Sequence, residues 1–132
     1  MNTLKKVKYW RDVPENYTGI VEYPNGSREY LSNRLFHRDD GPAVEQKSGT
    51  KYWYLNGKLH RIDGPAIVYA DGDKYWYLNG LRHRSDGPAI ECHHDDGSWD
   101  YEWWLNGINY FQEEWFERLS DEDKERAIWN LR

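Results

Sequence analysis

One polar string recurs three times in the sequence: "HRDDGPAV" at 37–44, "HRIDGPAI" at 60–67 and "HRSDGPAI" at 83–90. Closely spaced His, Arg and Asp are the raw material of metal sites, triads and acid–base pairs, so each chemistry is tested against the spacing. If successive copies are successive hairpins of a sheet, a strand separation of ~4.8 Å sets His37, His60 and His83 roughly 10 Å apart in turn and the outer two about 20 Å apart. Zinc bonds are about 2 Å long, so the three cannot share one ion. The third copy sets His83, Ser85 and Asp86 side by side, but neighbours on a strand point to opposite faces, and Ser85 is Ile62 and Asp39 in the other copies. "CHHDDG", 92–97, gathers thiolate, imidazole and carboxylate and is the better metal candidate, yet its spacing fits no closed zinc set and reads as a polar hairpin loop. Nucleophile elbow, P-loop and dinucleotide fingerprint are all missing. The expectation is a non-enzymatic chain with no catalytic residue, no metal ligand and no cofactor.

The repetition itself positions these residues. Gly41, Gly64 and Gly87 are 23 apart, as are "YWYLNG" at 52–57 and its copy at 75–80; a diverged "EWWLNG" closes the series at 102–107 after a short insertion. Residues 19–40 fit the template loosely, so clear units are flanked by worn ones, as stacked repeats require. Each unit holds two turn signals, Asp71-Gly72 and Asn79-Gly80, both favouring type I′ hairpins, between segments rich in Val, Ile, Tyr and Trp. The prediction is a mainly β fold: a single twisted antiparallel β-meander of stacked 23-residue hairpin repeats with a C-terminal helical cap. Residues 1–132 form one domain, with an N-terminal segment 1–16, repeats 17–110 and cap 111–132.

Side chains alternate along strands, so the copies assign faces. Trp53, Trp76 and Trp103 are constant, as are Leu55, Leu78 and Leu105, and these are expected to point inward. The interleaved Tyr52, Tyr54, Tyr75, Tyr77, Glu102 and Trp104 then form a stripe on the other face, the candidate binding surface. After "LNGI" the pattern turns helical: Phe111, Trp115, Phe116 and Leu119 share one face, and Ser120 with Asp123 resembles a capping box opening a second helix bearing Ala127, Ile128 and Leu131. The cap is expected to cover the last open sheet edge. Its acidic residues, Glu113, Glu114 and Glu117 foremost, are a second candidate surface for a basic partner. The bend at Asp-Gly-Pro is read as architectural: Asp40, Asp63 and Asp86 hold turns by bonding backbone amides, and Arg38, Arg61 and Arg84 pair with the aspartates of their own or the next repeat.

Composition bounds the rest. The chain is 38% hydrophobic and 17% aromatic, with eight Trp and eleven Tyr, so its core is built from few large rings. A net charge of −5 argues against general affinity for nucleic acid or anionic membrane. A lone cysteine, Cys92, and a polar start imply a soluble cytoplasmic protein.

The "HRxDGPA…W-x-L-NG" texture over roughly 17–110 resembles MORN-type repeats, more closely their bacterial variant class, and is similar to repeats in uncharacterised phage and bacterial proteins. The resemblance implies a single twisted sheet of stacked hairpins used for binding, and a phage protein. The usual MORN glycine pattern is not intact, so the family's lipid association does not carry over and no functional residue is transferred. The leading expectation is a protein-interaction module, by extension an anti-defence inhibitor encoded by a phage, whose partner has a basic surface. The alternative is a carbohydrate or nucleotide binder using the aromatic face. A homodimer through sheet edges is a further expectation.

Overall fold

The computed structural model describes residues 3–132. Asn56, Asn79 and Asn106 each have φ 49°, and the glycines after them have φ 78°, 81° and 82°, the double positive φ of a type I′ turn. Each turn closes a hairpin: Tyr54–Leu55 with Lys58–Leu59, Tyr77–Leu78 with Leu81–Arg82, and the end of Trp99–Leu105 with Ile108–Tyr110. The worn first repeat makes the same turn from Asn33 and Arg34, whose φ is 63° where the other copies carry glycine. The Arg34 guanidinium lies 4.8 Å from the Trp10 ring centre, a contact the glycine copies lack.

The Asp-Gly turn departs from expectation. Of the pair, Gly72 alone has positive φ (100°); its N–H donates to Tyr69 O, and Tyr69 N–H donates to Asp73 O. This is a three-residue loop ending in a left-handed glycine. Asp71 Oδ1 accepts from Asp73 N–H at 3.1 Å, and that side-chain bond holds the loop in this form.

The Tyr54–Leu55/Lys58–Leu59 and Tyr77–Leu78/Leu81–Arg82 hairpins stand as separate two-stranded sheets beside one large sheet in which eleven strands join. Its main path runs Leu4–Lys6, Gly19–Glu22, Arg28–Ser32, Val44–Glu45, Lys51–Tyr52, Ile67–Val68, Lys74–Tyr75, Ile90–His93, Trp99–Leu105, Ile108–Tyr110. The expected meander is present with one correction. Leu4–Lys6 runs parallel to Gly19–Glu22, so the sheet is mixed and part of the 1–16 segment belongs to it. Residues 7–18, with a 3-10 turn at Trp10–Asp12, supply the crossover a parallel pair needs. The insertion after Ile90 also differs from a loop. It lengthens both strands by two residues, pairing Cys92 with Asp100 and His93 with Trp99, which keeps the alternation of faces in phase.

Among the bonds that tie repeat to repeat are three ladders at the loops and turns. On one, Arg38, Arg61 and Arg84 donate backbone N–H to Tyr54, Tyr77 and Trp104 carbonyls, each at 3.1 Å. On the second, His37, His60 and His83 accept through Nδ1 from Asn56, Asn79 and Asn106 N–H at 3.0, 2.9 and 3.0 Å. On the third, at the opposite loops, Ser27 Oγ, Thr50 Oγ1 and Asp73 Oδ1 accept from Lys47, Ala70 and His93 N–H.

The Arg-x-Asp-Gly-Pro loops explain the conserved-looking string. Arg38, Arg61 and Arg84 lie 4.0, 3.9 and 3.9 Å over the rings of Tyr30, Trp53 and Trp76. Each Nε donates to the aspartate two residues on, and each Nη1 to the carbonyl of the following proline. The carboxylates therefore bond to the arginine of their own repeat rather than to backbone amides. Gly41, Gly64 and Gly87 close over the guanidinium: a Cβ there would lie 2.9, 3.0 and 2.7 Å from the arginine Cζ.

The register sets Val21, Glu29, Val44, Tyr52, Ile67, Tyr75, Ile90 and Glu102 in one row across the sheet. This is the tyrosine face; the stacked arginines lie on the opposite, tryptophan face. The two ends of the sheet are covered on opposite faces. Val7 and Val13 of the N-terminal segment pack with Val21 and Leu31 on the tyrosine face. Helices α1 (Gln112–Glu117) and α2 (Asp121–Ala127) pack Trp115, Leu119 and Ala127 on Trp103 of the tryptophan face. Trp115 Nε1 donates to Arg84 O and Asn130 Nδ2 to Asp86 O, so the cap covers a face and not the last edge. Ser120 Oγ accepts from Asp123 N–H, as its N-cap position requires.

Several inward assignments change. Trp103 is buried, but Trp53, Trp76 and all three leucines are only half-buried, because a single sheet has no second layer in its middle. Trp53 and Trp76 instead floor open grooves of about 540 and 670 Å³ between successive loops. Phe111 is 84% exposed and Ile128 56%, and Leu131 is also exposed: Phe111 precedes the first helical turn, and the 3-10 turn Ile128–Asn130 rotates the end of the cap off the α2 face.

Adding a methyl at Gly87 should push Arg84 off Trp76. Gly87→Ala is expected to lose about 1–3 kcal/mol of stability, read as a lower urea midpoint. The histidines make opposite contributions to pH dependence. Burial lowers the His83 pKa, opposed by the Asp123 charge, so the unfolded chain takes up its proton first and stability falls as pH drops through about 6.5. The hydrogen bond to Asp73 raises the His93 pKa, adding stability that is full below about 6.5 and lost as pH rises through its folded value. In His93→Gln, the urea midpoint should therefore decline steadily from pH about 7.5 to about 5.5.

Candidate binding face

Tyr52, Tyr75 and Glu102 stand in the cross-strand row, with Ile67 and Ile90 between them. Tyr54, Tyr77 and Trp104 follow two residues along their strands, facing Leu59, Arg82 and Asn109. The structure thus brings these six expected residues together on the tyrosine face, all half-buried.

The rings run on from one to the next. Centroid separations are 5.9 Å for Trp10–Phe36, 5.1 Å for Phe36–Tyr54, 6.4 Å for Tyr54–Tyr52, 6.4 Å for Tyr52–Tyr69 and 5.3 Å for Tyr69–Tyr75. These tilted and edge-on contacts fall in the range that aromatic quadrupoles favour. Beyond Tyr75 an arginine continues the band. The Arg82 guanidinium lies 6.0 Å from the Tyr75 ring centre and 4.9 Å from that of Trp104, and its Nε donates to Tyr77 Oη at 3.1 Å. Trp104 Nε1 donates to Glu102 Oε1 at 3.1 Å. Burial first raises the phenol pKa of Tyr54, Tyr69 and Tyr75, so their hydroxyls stay neutral donors. The hydrogen bond to Tyr77 raises the Arg82 pKa.

Trp10, Phe36, Tyr69 and Arg82 are members of this band that sequence reasoning missed. A signal for two of them was present: Phe36, Leu59 and Arg82 occupy the same repeat position, two after the turn, and differ there. Trp10 lies outside the repeats and carries no such signal.

Glu113, Glu114 and Glu117 do not join the stripe. They are exposed on α1, which rests on the tryptophan face through Trp115, 4.7 Å from Trp103 between ring centroids. Glu114 accepts from Arg118, and Glu117 lies 3.8 Å from Lys124. The acidic helix and the tyrosine stripe are therefore two surfaces on opposite faces, because burying Trp115 folds the chain back toward Arg84.

The reactive-looking groups are occupied. His83 Nδ1 takes Asn106 N–H and Asp86 takes the Arg84 guanidinium, so neither is arranged as a relay for Ser85. Burial raises the Cys92 thiol pKa, which disfavours thiolate. Within "CHHDDG", His94 Nε2 meets the single carboxylate of Asp100 at 2.5 Å, and His93 meets two, Asp71 and Asp73, with the three ligand atoms within 4.8 Å of one another. These three could hold a divalent cation, but Asp73 Oδ1 already serves as a ladder rung, accepting His93 N–H at 3.0 Å and facing its Nδ1 at 2.5 Å.

No family model, curated protein or solved structure matches this chain. Among the described residues no helix is long and apolar enough to cross a membrane.

Arg82 holds three rings, so Arg82→Met should lower stability by about 1 kcal/mol and alter tryptophan emission through Trp104. An unchanged spectrum and urea midpoint would show that the rings hold one another without it.

Proposed function

We propose that the chain is a non-enzymatic protein-interaction module that presents its tyrosine face to a partner with a basic surface. The observation that carries this reading is the continuous half-exposed band from Trp10 to Trp104. Its rings are already fixed by stacking and by Arg82, so docking on them loses little side-chain freedom, the property that makes Tyr and Trp effective anchors. The net charge of −5 favours a basic partner and repels polyanions. Work in the cytoplasm, where Cys92 stays reduced, is part of the same proposal. The resemblance of the repeats to phage and bacterial sequences extends it: the partner is a host defence protein whose basic groove the chain blocks.

Arg82 also weighs against small sugars or bases as ligands, because its guanidinium covers ring faces of Tyr75 and Trp104 that such ligands would stack on.

The test compares two double variants on immobilised protein in lysate of the natural host. Tyr54→Ser with Tyr77→Ser should abolish retention of the partner, whereas Glu113→Lys with Glu117→Lys on the opposite face should retain it. Loss through the glutamate pair alone would move the site to the cap. Saturable quenching of tryptophan emission by a nucleotide or oligosaccharide, removed by the tyrosine variant, would replace the proposal with the ligand-binding alternative.

A further inference from the structure

Strands inside the sheet have neighbours on both sides, and its two ends do not. At one end, among the described residues, Leu4–Lys6 pairs only with Gly19–Glu22. At the other, Trp99–Leu105 pairs along 99–102 with Ile90–His93 and only along 103–105 with Ile108–Tyr110. In the inner repeats the matching segments Lys51–Tyr52 and Lys74–Tyr75 are bonded on both sides. Trp53 and Trp76 N–H there reach the next repeat's Ala66 and Ala89 carbonyls at 2.7 and 2.8 Å. The strand runs on from Trp103 to Leu105 and returns as Ile108–Tyr110 before α1 begins, so among the described residues 99–102 have no strand on their outer side.

The two open edges carry opposite charge. Lys5 and Lys6 are exposed, with Lys8 beside them; Asp95, Asp96 and Asp100 are exposed at the other end, with Glu102 half-buried next to them. The pleats also match. Lys5 is in register with Val21 and so lies on the tyrosine face with Asp100 and Glu102, while Leu4 and Trp99, 44% and 45% exposed, share the tryptophan face. Edge lysines commonly deter sheet-to-sheet pairing, but they deter an edge of their own charge, not an acidic one.

We propose that a second copy of this chain docks its basic strand Leu4–Lys6 on the acidic edge Trp99–Glu102, continuing the sheet head to tail. Strand addition supplies backbone hydrogen bonds, and the lysine-to-carboxylate contacts fix which edge meets which. The contact is heterologous, so every copy keeps a free edge and the assembly grows beyond two. The donor strand has three residues, so the contact is small, weak and salt-sensitive.

Sedimentation velocity on the full chain tests this. In ~0.01 M salt, with a Debye length of ~30 Å, the weight-average mass should climb with concentration from the 15.9 kDa monomer past the dimer, and in ~1 M salt, at ~3 Å, it should return to monomer. Lys5→Glu with Lys6→Glu should be monomeric in low salt, as should Asp95→Lys with Asp100→Lys, and an equimolar mixture of the two should associate again because each then offers the edge the other lacks. A monomeric wild type in low salt overturns the proposal. So does association that persists in either variant alone, or growth that stops at a dimer.

Discussion

Everything in the middle of this sheet depends on one stacked unit: a guanidinium held between an aromatic ring and a glycine. A single sheet of short strands buries little, and the central repeats have no second layer to cover Trp53 and Trp76. Arg61 and Arg84 serve in that role. Each lies 3.9 Å over its ring and holds its loop by bonds to the Asp carboxylate and the Pro carbonyl. The loop closes only because glycine has no Cβ to strike the guanidinium. The aspartates are largely exposed at Asp40 and Asp63, so the ion pairs add little by charge alone; the stacking and the fixed fork geometry of arginine do more.

Around that unit the repeats are coupled only to their neighbours. Histidine Nδ1, loop hydroxyls and carboxylates, and backbone groups each reach one repeat forward. Such a structure has ends, and the ends are where the chain departs from its template. The N-terminal segment caps the tyrosine face and the helices cap the tryptophan face, leaving the middle of each face open. The open stretch of the tyrosine face is the aromatic band. The open stretch of the tryptophan face is a series of grooves floored by Trp53 and Trp76.

Much of this was legible from the repeats. Constant positions marked the architecture, alternation separated Trp53 from Tyr52 and Tyr54, and Asn-Gly fixed the I′ turns at Asn56 and Asn79. Asp-Gly was less legible, because the Asp71 side chain bonds to its own loop and selects a different turn from the same dipeptide letters. Arg82 and Phe36 were overlooked because a cross-strand neighbour is set by register across the turn rather than by distance along the chain.

The sequence by itself determined the unit, its period, its turns, the two-sided alternation of side chains and the helical end, since all of these rest on contacts within about one repeat. The tertiary structure alone decided which face each end covers. Trp115 had to find Trp103 and the Arg84 carbonyl, a contact across 31 residues, and in doing so it carried Glu113, Glu114 and Glu117 away from the tyrosine face. Periodicity places residues on a face of their own element; only packing between distant elements decides which faces share one surface.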